Sequence, residues 1–369
     1  MWTKQAQMQA VAAGTWTGLP FLYAWGGDQF GQLGLNNRTD YSSPKQVGSL
    51  TTWLVLDAGD GHVVATKTDG TLWSWGYNDR GQLGLNNVTK YSSPKQVGSL
   101  TTWHNITCGN YHTLATKTDG TLWSWGYNFR GQLGLNNQTF YSSPKQVGSL
   151  TTWLNITGGR YHTLATKTDG TLWAWGQGVA GQLGLGNTTN YSSPKQVGSL
   201  TTWLNISGGF YNTIATKTDG TLWAWGNNAS GQLGLGNVTN YSSPKQIGLL
   251  TTWSNINSRN QSASLATTTG GTLWSWGANE SGQLGLGNRT NYSSPKQVGS
   301  LTTWLNLTGR YRQTIATKTN GTLWAWGANE SGQLGLGNRT YYSSPKQVGS
   351  LTSWLTIASG YNNTLVIAS

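Results

Sequence analysis

At 369 residues the chain would ordinarily divide into two or three domains, yet only 9% of it is charged while 12% is aromatic, with 22 tryptophans and 52 glycines. That composition excludes a disordered chain, which would be poor in aromatics, and no apolar run approaches the ~18 residues of a membrane span. The 23 basic and 11 acidic residues give a net charge of +12, but the lysines are spread along the chain rather than clustered, so no dedicated nucleic-acid site is expected.

In chain order, residues 1–20 read as a leader and candidate anchor. Lys4 and the broken apolar stretch Ala10–Ala13 make a poor signal peptide. The repeat begins at Leu22-Tyr23-Ala24-Trp25-Gly26. It recurs as Leu72-Trp73-Ser74-Trp75-Gly76 and again from Leu122, Leu172 and Leu222, a spacing of 50. One extra residue moves the last two copies to Leu273 and Leu323. Each copy is followed by Gly-Gln-Leu-Gly-Leu, then Tyr-Ser-Ser-Pro-Lys-Gln, then a step like Leu-Thr-Thr-Trp.

Within a unit, Tyr161–Lys167 alternates in the period-2 manner of a strand. Thr168-Asp169-Gly170 supplies a hairpin turn, and Thr171–Gly176 returns. Trp173 and Trp175 are two apart, so they project from one face and are expected to pack between blades. Pro194 suits an outer edge, because proline donates nothing to a ladder. Four short strands per unit predict an all-β, seven-bladed β-propeller with four-stranded blades over residues 21–369. The ends fit a closed ring. Ile357–Val366 is the first half of a unit, the segment from Leu22 is a second half, and the two together predict one composite blade.

The Gly-x-x-His-Thr step, Asp-Gly, the Trp-Gly strand end and Gly-Gln-Leu-Gly together resemble the repeat of the regulator-of-chromosome-condensation family. The resemblance implies a seven-bladed propeller. The near-identity of the units and the wording Ser-Ser-Pro-Lys-Gln-Val-Gly-Ser-Leu-Thr-Thr-Trp also resemble repeats of bacterial and bacteriophage proteins. Nucleotide exchange on a small GTPase, known in the family, depends on a wedge-like insertion and acidic contacts that no unit carries. The plant ultraviolet photoreceptors of this fold use Gly-Trp-Arg-His-Thr. Here the Trp place holds Asn110, Arg160 or Phe210, and the Arg place holds tyrosine.

Catalytic and cofactor chemistry finds little footing, and no cofactor is expected. Gly181, Gly184 and Gly186 do not open a helix, as a phosphate cradle would. His62, His112 and His162 occupy one repeat position in successive blades, so they do not converge as metal ligands. They read as hydrogen-bonding turn residues. No carboxylate pair is spaced for acid–base work, and lone Cys108 has no activating partner in its unit. Recurring Asn-x-Thr/Ser, as at Asn105, Asn155, Asn187 and Asn237, reads as turn asparagine. The expectation is a binding protein rather than an enzyme.

The repeats form an alignment inside one molecule, and variation marks where units are free to differ. One variable cluster precedes the inner hairpin: Asp60 and His62; Asn110, Tyr111 and His112; Arg160, Tyr161 and His162. It continues with Phe210 and Tyr211, Arg259 and Asn260 beside the one-residue insertion, then Arg310, Tyr311 and Arg312, and Tyr361. A second follows the Trp-Gly strand: Asp79, Arg80, Phe129, Arg130, Glu280 and Glu330. Strand direction puts both on one face, opposite the uniform Asp-Gly turns. A third lies at tips near Asp40, Lys90, Phe140 and Tyr341. Loops on a rigid scaffold are where binding residues concentrate. The expected role is a binding or assembly module, with protein partners, other virion proteins or a host-surface glycan, in a bacteriophage virion or otherwise in the cytoplasm. An intracellular interaction propeller and a lectin-like propeller are the alternatives.

Overall fold

The computed structural model describes residues 20–369. Within them all regular elements are strands, arranged as seven four-stranded antiparallel sheets. The expectation placed on residues 1–20 lies outside the described residues, Pro20 apart. We number the blades from the composite one: blade 1 joins 354–368 to 21–46, and blades 2 to 7 begin at Trp53, Trp103, Trp153, Trp203, Trp253 and Trp304.

Blade 4 shows how the repeat builds a sheet. Its strands, from the axis outward, are Trp153–Gly158, His162–Lys167, Leu172–Gly176 and Tyr191–Gln196. Gly170 takes φ +76°, a left-handed conformation that glycine adopts without cost. The Asp169 carboxylate accepts from the Thr171 backbone N–H (2.9 Å) and hydroxyl (2.6 Å). The Thr171 oxygen in turn accepts from Trp173 Nε1 at 2.9 Å. The Asp-Gly turn therefore also orients the first tryptophan of the pair.

Ring closure follows the composite blade predicted from the two ends. Phe21–Gly26 pairs antiparallel with Asn363–Ala368, from Phe21 opposite Ala368 to Gly26 opposite Asn363. The sheet order is Tyr41–Gln46, Phe21–Gly26, Asn363–Ala368, Trp354–Ser359. Two strands from each end of the chain thus make one blade.

Tryptophan joins neighbouring blades. Trp175 is fully buried, meets Trp153 at 5.9 Å between centroids, and packs on Leu114, Leu122 and Val147 of the preceding blade. Its Nε1 donates to the Gln132 carbonyl at 3.0 Å. Burying such a ring contributes up to about 4–6 kcal/mol. The second glycine of Gly-Gln-Leu-Gly is required there: a Cβ on Gly134 would lie 2.7 Å from Trp175 Nε1.

The basic excess is largely structural. Lys67, Lys117, Lys167, Lys217 and Lys318 lie 3.6–3.8 Å over the first ring of the Trp-x-Trp pair on the third strand of their blades, a cation–π seat. Lys45, Lys95, Lys145, Lys195, Lys245, Lys296 and Lys346 are exposed on the outermost strands, each after a proline. Proline and lysine on an open strand edge prevent pairing with another sheet. These seven lysines account for more than half of the net charge of +12.

Candidate binding face

The loops joining the first strand to the second, and the third to the fourth, emerge on one side of the disc. At its centre they enclose a bowl of about 640 Å³ to which all seven blades contribute. Asp60, Asn110, Tyr111, Arg160, Phe210, Tyr311 and Tyr361 line it, so the structure brings these sequence-selected residues together.

The floor is made of arginines that cross the axis. Arg310, from blade 7 and 2% exposed, donates from Nε to Asp60 of blade 2 at 3.2 Å. Its other nitrogens reach the Ala58 carbonyl at 3.1 Å and Asn110 Oδ1 at 2.9 Å. Asn110 donates back to Asp60 at 2.6 Å. Deeper, Arg259 of blade 6 grips Asp57 of blade 2 and also bonds the Thr107 hydroxyl. Burial raises the Asp60 pKa against the opposing pull of Arg310. Burial, with the Asp60 charge adding to it, pushes Tyr111 up to about 12.

Around Arg160 the walls are aromatic. Its guanidinium lies 5.0, 4.9 and 5.3 Å from the centroids of Tyr161, Phe210 and Tyr211, and Nη1 donates to the Tyr211 hydroxyl at 2.5 Å. Tyr311 and Tyr361 stack at 4.0 Å on the opposite wall. Farther out on the face are Asp79, Arg80, Phe129 and Arg130, with Glu280 3.7 Å from Arg312 and Glu330 exposed beyond.

Several sequence-selected residues sit elsewhere. His62, His112 and His162 are fully buried in the walls between blades, not in turns and not on the face. Each opens a second strand, and its Nε2 bonds a threonine of the next blade: Thr113 and Thr163 at 3.1 Å, Thr213 at 3.3 Å. Those threonines donate onward to backbone carbonyls at 2.8 Å. The hydroxyl oxygen must therefore accept, which fixes the proton on Nε2. Asn260 is also buried, its amide donating to Gln313 O and Thr314 Oγ1.

Other residues of the face escaped selection. Phe30, Tyr77 and Tyr127 join the selected Tyr111 and Tyr161 in an aromatic belt with successive centroids 4.7–6.3 Å apart. The position after Trp-Gly varies from Tyr77 to Gln177 to Ala278, a signal available in the repeats. The third cluster folds back onto the same face. Lys90 Nζ is 3.0 Å from Asp79, and Phe140 lies 4.7 Å from Tyr127. Among the described residues no three His, Cys, Asp or Glu side chains group as metal ligands.

Seven four-stranded sheets around an axis define a β-propeller. The chain matches the RCC1-like domain over residues 5–261, and the regulator of chromosome condensation (RCC1) repeat over residues 270–305 and 320–367; it belongs to this family. No curated protein matches it. Among solved structures it is similar to human WBSCR16, at 20% identity and a TM-score of 0.85, over 95% of this chain and 99% of that one. It is also similar to yeast RCC1 (Prp20) bound to Kap60, at 19% identity and a TM-score of 0.84, over 95% and 89% of the two chains. Prp20p from Saccharomyces cerevisiae, described with its binding to Gsp1p and histones, gives 19% identity and 0.85 over 95% and 92%.

Proposed function

We propose that the chain is a non-catalytic recognition module that holds a protein partner against its variable face, over the axial bowl. The observation that carries this reading is the convergence of all seven blades on one cavity lined by tyrosine, phenylalanine and arginine. These are the residue types enriched at interface hot spots. The similar yeast propeller is described with protein partners, namely Kap60, Gsp1p and histones, which supports a protein rather than a small metabolite.

Family exchange activity is not part of the proposal, because no blade carries a wedge-like insertion. A virion setting rests on the wording of the repeat, the low charge, the poor signal peptide and the leader of residues 1–20, and the recognition reading stands without it. A photo-crosslinking residue at Phe210, compared with one at Thr168 on the opposite face, tests the proposal in the source cells. A discrete crosslinked protein is expected from Phe210 only. Equal yields from both positions, or crosslinks from Thr168 alone, would count against it.

A further inference from the structure

The cations of the bowl differ in what balances them. Arg310 and Arg259 are matched by Asp60 and Asp57. Arg160 has no carboxylate within 4 Å among the described residues, and its buried Nε has no acceptor. A buried, unsatisfied N–H on a charged group requires a cause. Here the side chain that carries it lines a cavity large enough for a ligand.

The belt continues this arrangement outward. Tyr161 meets Tyr127 at 5.8 Å, and Tyr127 meets Phe129 at 6.4 Å. Arg80 lies 5.8 Å from the centroids of Tyr127 and Phe140, and Arg130 lies 5.1 Å from Phe129. Neither arginine has an acidic partner within 4 Å among the described residues. A guanidinium over a ring occupies the surface on which a base or sugar would stack. What the row presents instead is the arginines' own N–H groups, free of acidic partners, the chemistry that suits carboxylates.

Resting on the recognition reading above, we infer that the partner offers an acidic segment. It enters the bowl with one carboxylate on Arg160 and runs outward over blades 4, 3 and 2, where Arg130 and Arg80 receive further carboxylates. Arg160 carries most of the affinity, because it is the least hydrated of the three and its ring cage pre-sets the orientation. Arg80 and Arg130, nearer to solvent, steer the approach.

Fluorescence anisotropy on the purified chain tests this with a labelled peptide of alternating Glu and Asp, and with its Gln/Asn counterpart. A short DNA duplex and a sialylated oligosaccharide serve as competitors. The acidic peptide should bind, and Arg160→Gln should weaken it about tenfold or more, as expected for loss of a charge-assisted hydrogen-bond pair. Arg80→Gln and Arg130→Gln should each weaken it about two- to threefold, on the scale of exposed charge pairs. Lys195→Gln on the rim controls for general attraction, and an unchanged urea midpoint controls for folding.

An equal loss in Lys195→Gln would overturn the inference, as would absence of peptide binding. Displacement by the duplex or the oligosaccharide at lower concentration than by unlabelled acidic peptide would assign the row to phosphate or to acidic sugar instead. If the neutral peptide binds the face as well as the acidic one, acid recognition falls while partner recognition at the bowl survives. Failure of both is read independently, by the absence of crosslinks from Phe210.

Discussion

Arg259 of blade 6 chelates Asp57 of blade 2 across the ring axis, with Nη1 2.6 Å from one carboxylate oxygen and 2.7 Å from the other. The carboxylate also accepts from the Cys108 backbone N–H at 2.9 Å, so the tie connects blades 6, 2 and 3. Removing one member of a buried pair leaves the other charged and unmatched, which costs about 3–5 kcal/mol. Asp57→Asn and Arg259→Met should each destabilise the ring on that scale. The double variant should lose clearly less than the sum. Urea unfolding of the four proteins measures the coupling, and strict additivity would mean that the tie contributes no stability of its own.

Asp28 occupies the place held by Asn78, Asn128, Asn228, Asn279 and Asn329 in other blades. In blade 2 the Asn78 amide donates to the carbonyls of Asn87 and Thr89 at 3.1 and 2.9 Å, while its Oδ1 accepts from the Leu83 N–H at 2.9 Å. Asp28 keeps the equivalent acceptor bond from Leu33, but its buried Oδ2 has no donor. Burial raises its pKa from 3.8 to about 7. A raised folded pKa means that its contribution to stability is complete below about pH 3.8, falls as pH rises from there to about 7, and stays lost above it. Asp28→Asn should therefore stabilise the protein by about 1–3 kcal/mol near pH 8 and by little near pH 4. Thermal or urea midpoints at the two pH values decide it. A gain independent of pH would refute the ionisation argument.

The inter-blade histidines shift the other way. Burial holds His62 and His162 down to about 3, and His112 well below its ordinary 6.5. Each Nε2–H is committed to a threonine, and no Nδ1 has a partner to receive a second proton. Their contribution is complete above about pH 6.5 and is lost as pH falls toward 3, by up to about 1.4 kcal/mol per histidine per pH unit. Blade 7 has Gln313 at this position. Replacing the three histidines by glutamine should flatten the decline in stability between about pH 6.5 and 4.5. A variant whose profile runs parallel to the parent's would exclude them as the titrating groups.

Two glycines with left-handed backbones separate conformation from contact. Gly184 has φ +73°, and a Cβ there would lie 2.7 Å from Trp225 Nε1; Gly198 has φ +61° with nothing within 4 Å of an added Cβ. Gly198→Ala should cost about 1 kcal/mol, the conformational penalty alone. Gly184→Ala must also displace a tryptophan between blades and should cost roughly 3 kcal/mol or more. Denaturant midpoints compare them directly, and equal losses would show that the tryptophan moves aside freely.

Repetition made the scaffold legible. Blade number, strand order and the composite blade follow from where Leu22 begins and Val366 ends, because each unit specifies the same local structure again. The hairpin itself was equally readable from Asp169-Gly170. The face was legible only in part. Variation picked out Arg160, Phe210 and Tyr361, which line one bowl. Variation alone, however, does not distinguish a residue that faces solvent from one that faces the next blade. His112 and Asn260 differ between units because the wall accepts several hydrogen-bonding side chains, and that depends on partners 51 and 54 positions away. The cross-axis pairs were invisible for the same reason: Arg259 and Asp57 are 202 residues apart and belong to no shared motif.

The lysines of the outermost strands affect how these discs can meet. A perimeter of one sign makes approach in a common plane repulsive, and the prolines beside the lysines interrupt the donor row that any sideways extension would need. At high concentration, neighbouring molecules are left with their flat sides as the available contact. Sideways association therefore works against charge and a broken donor row, while stacking does not.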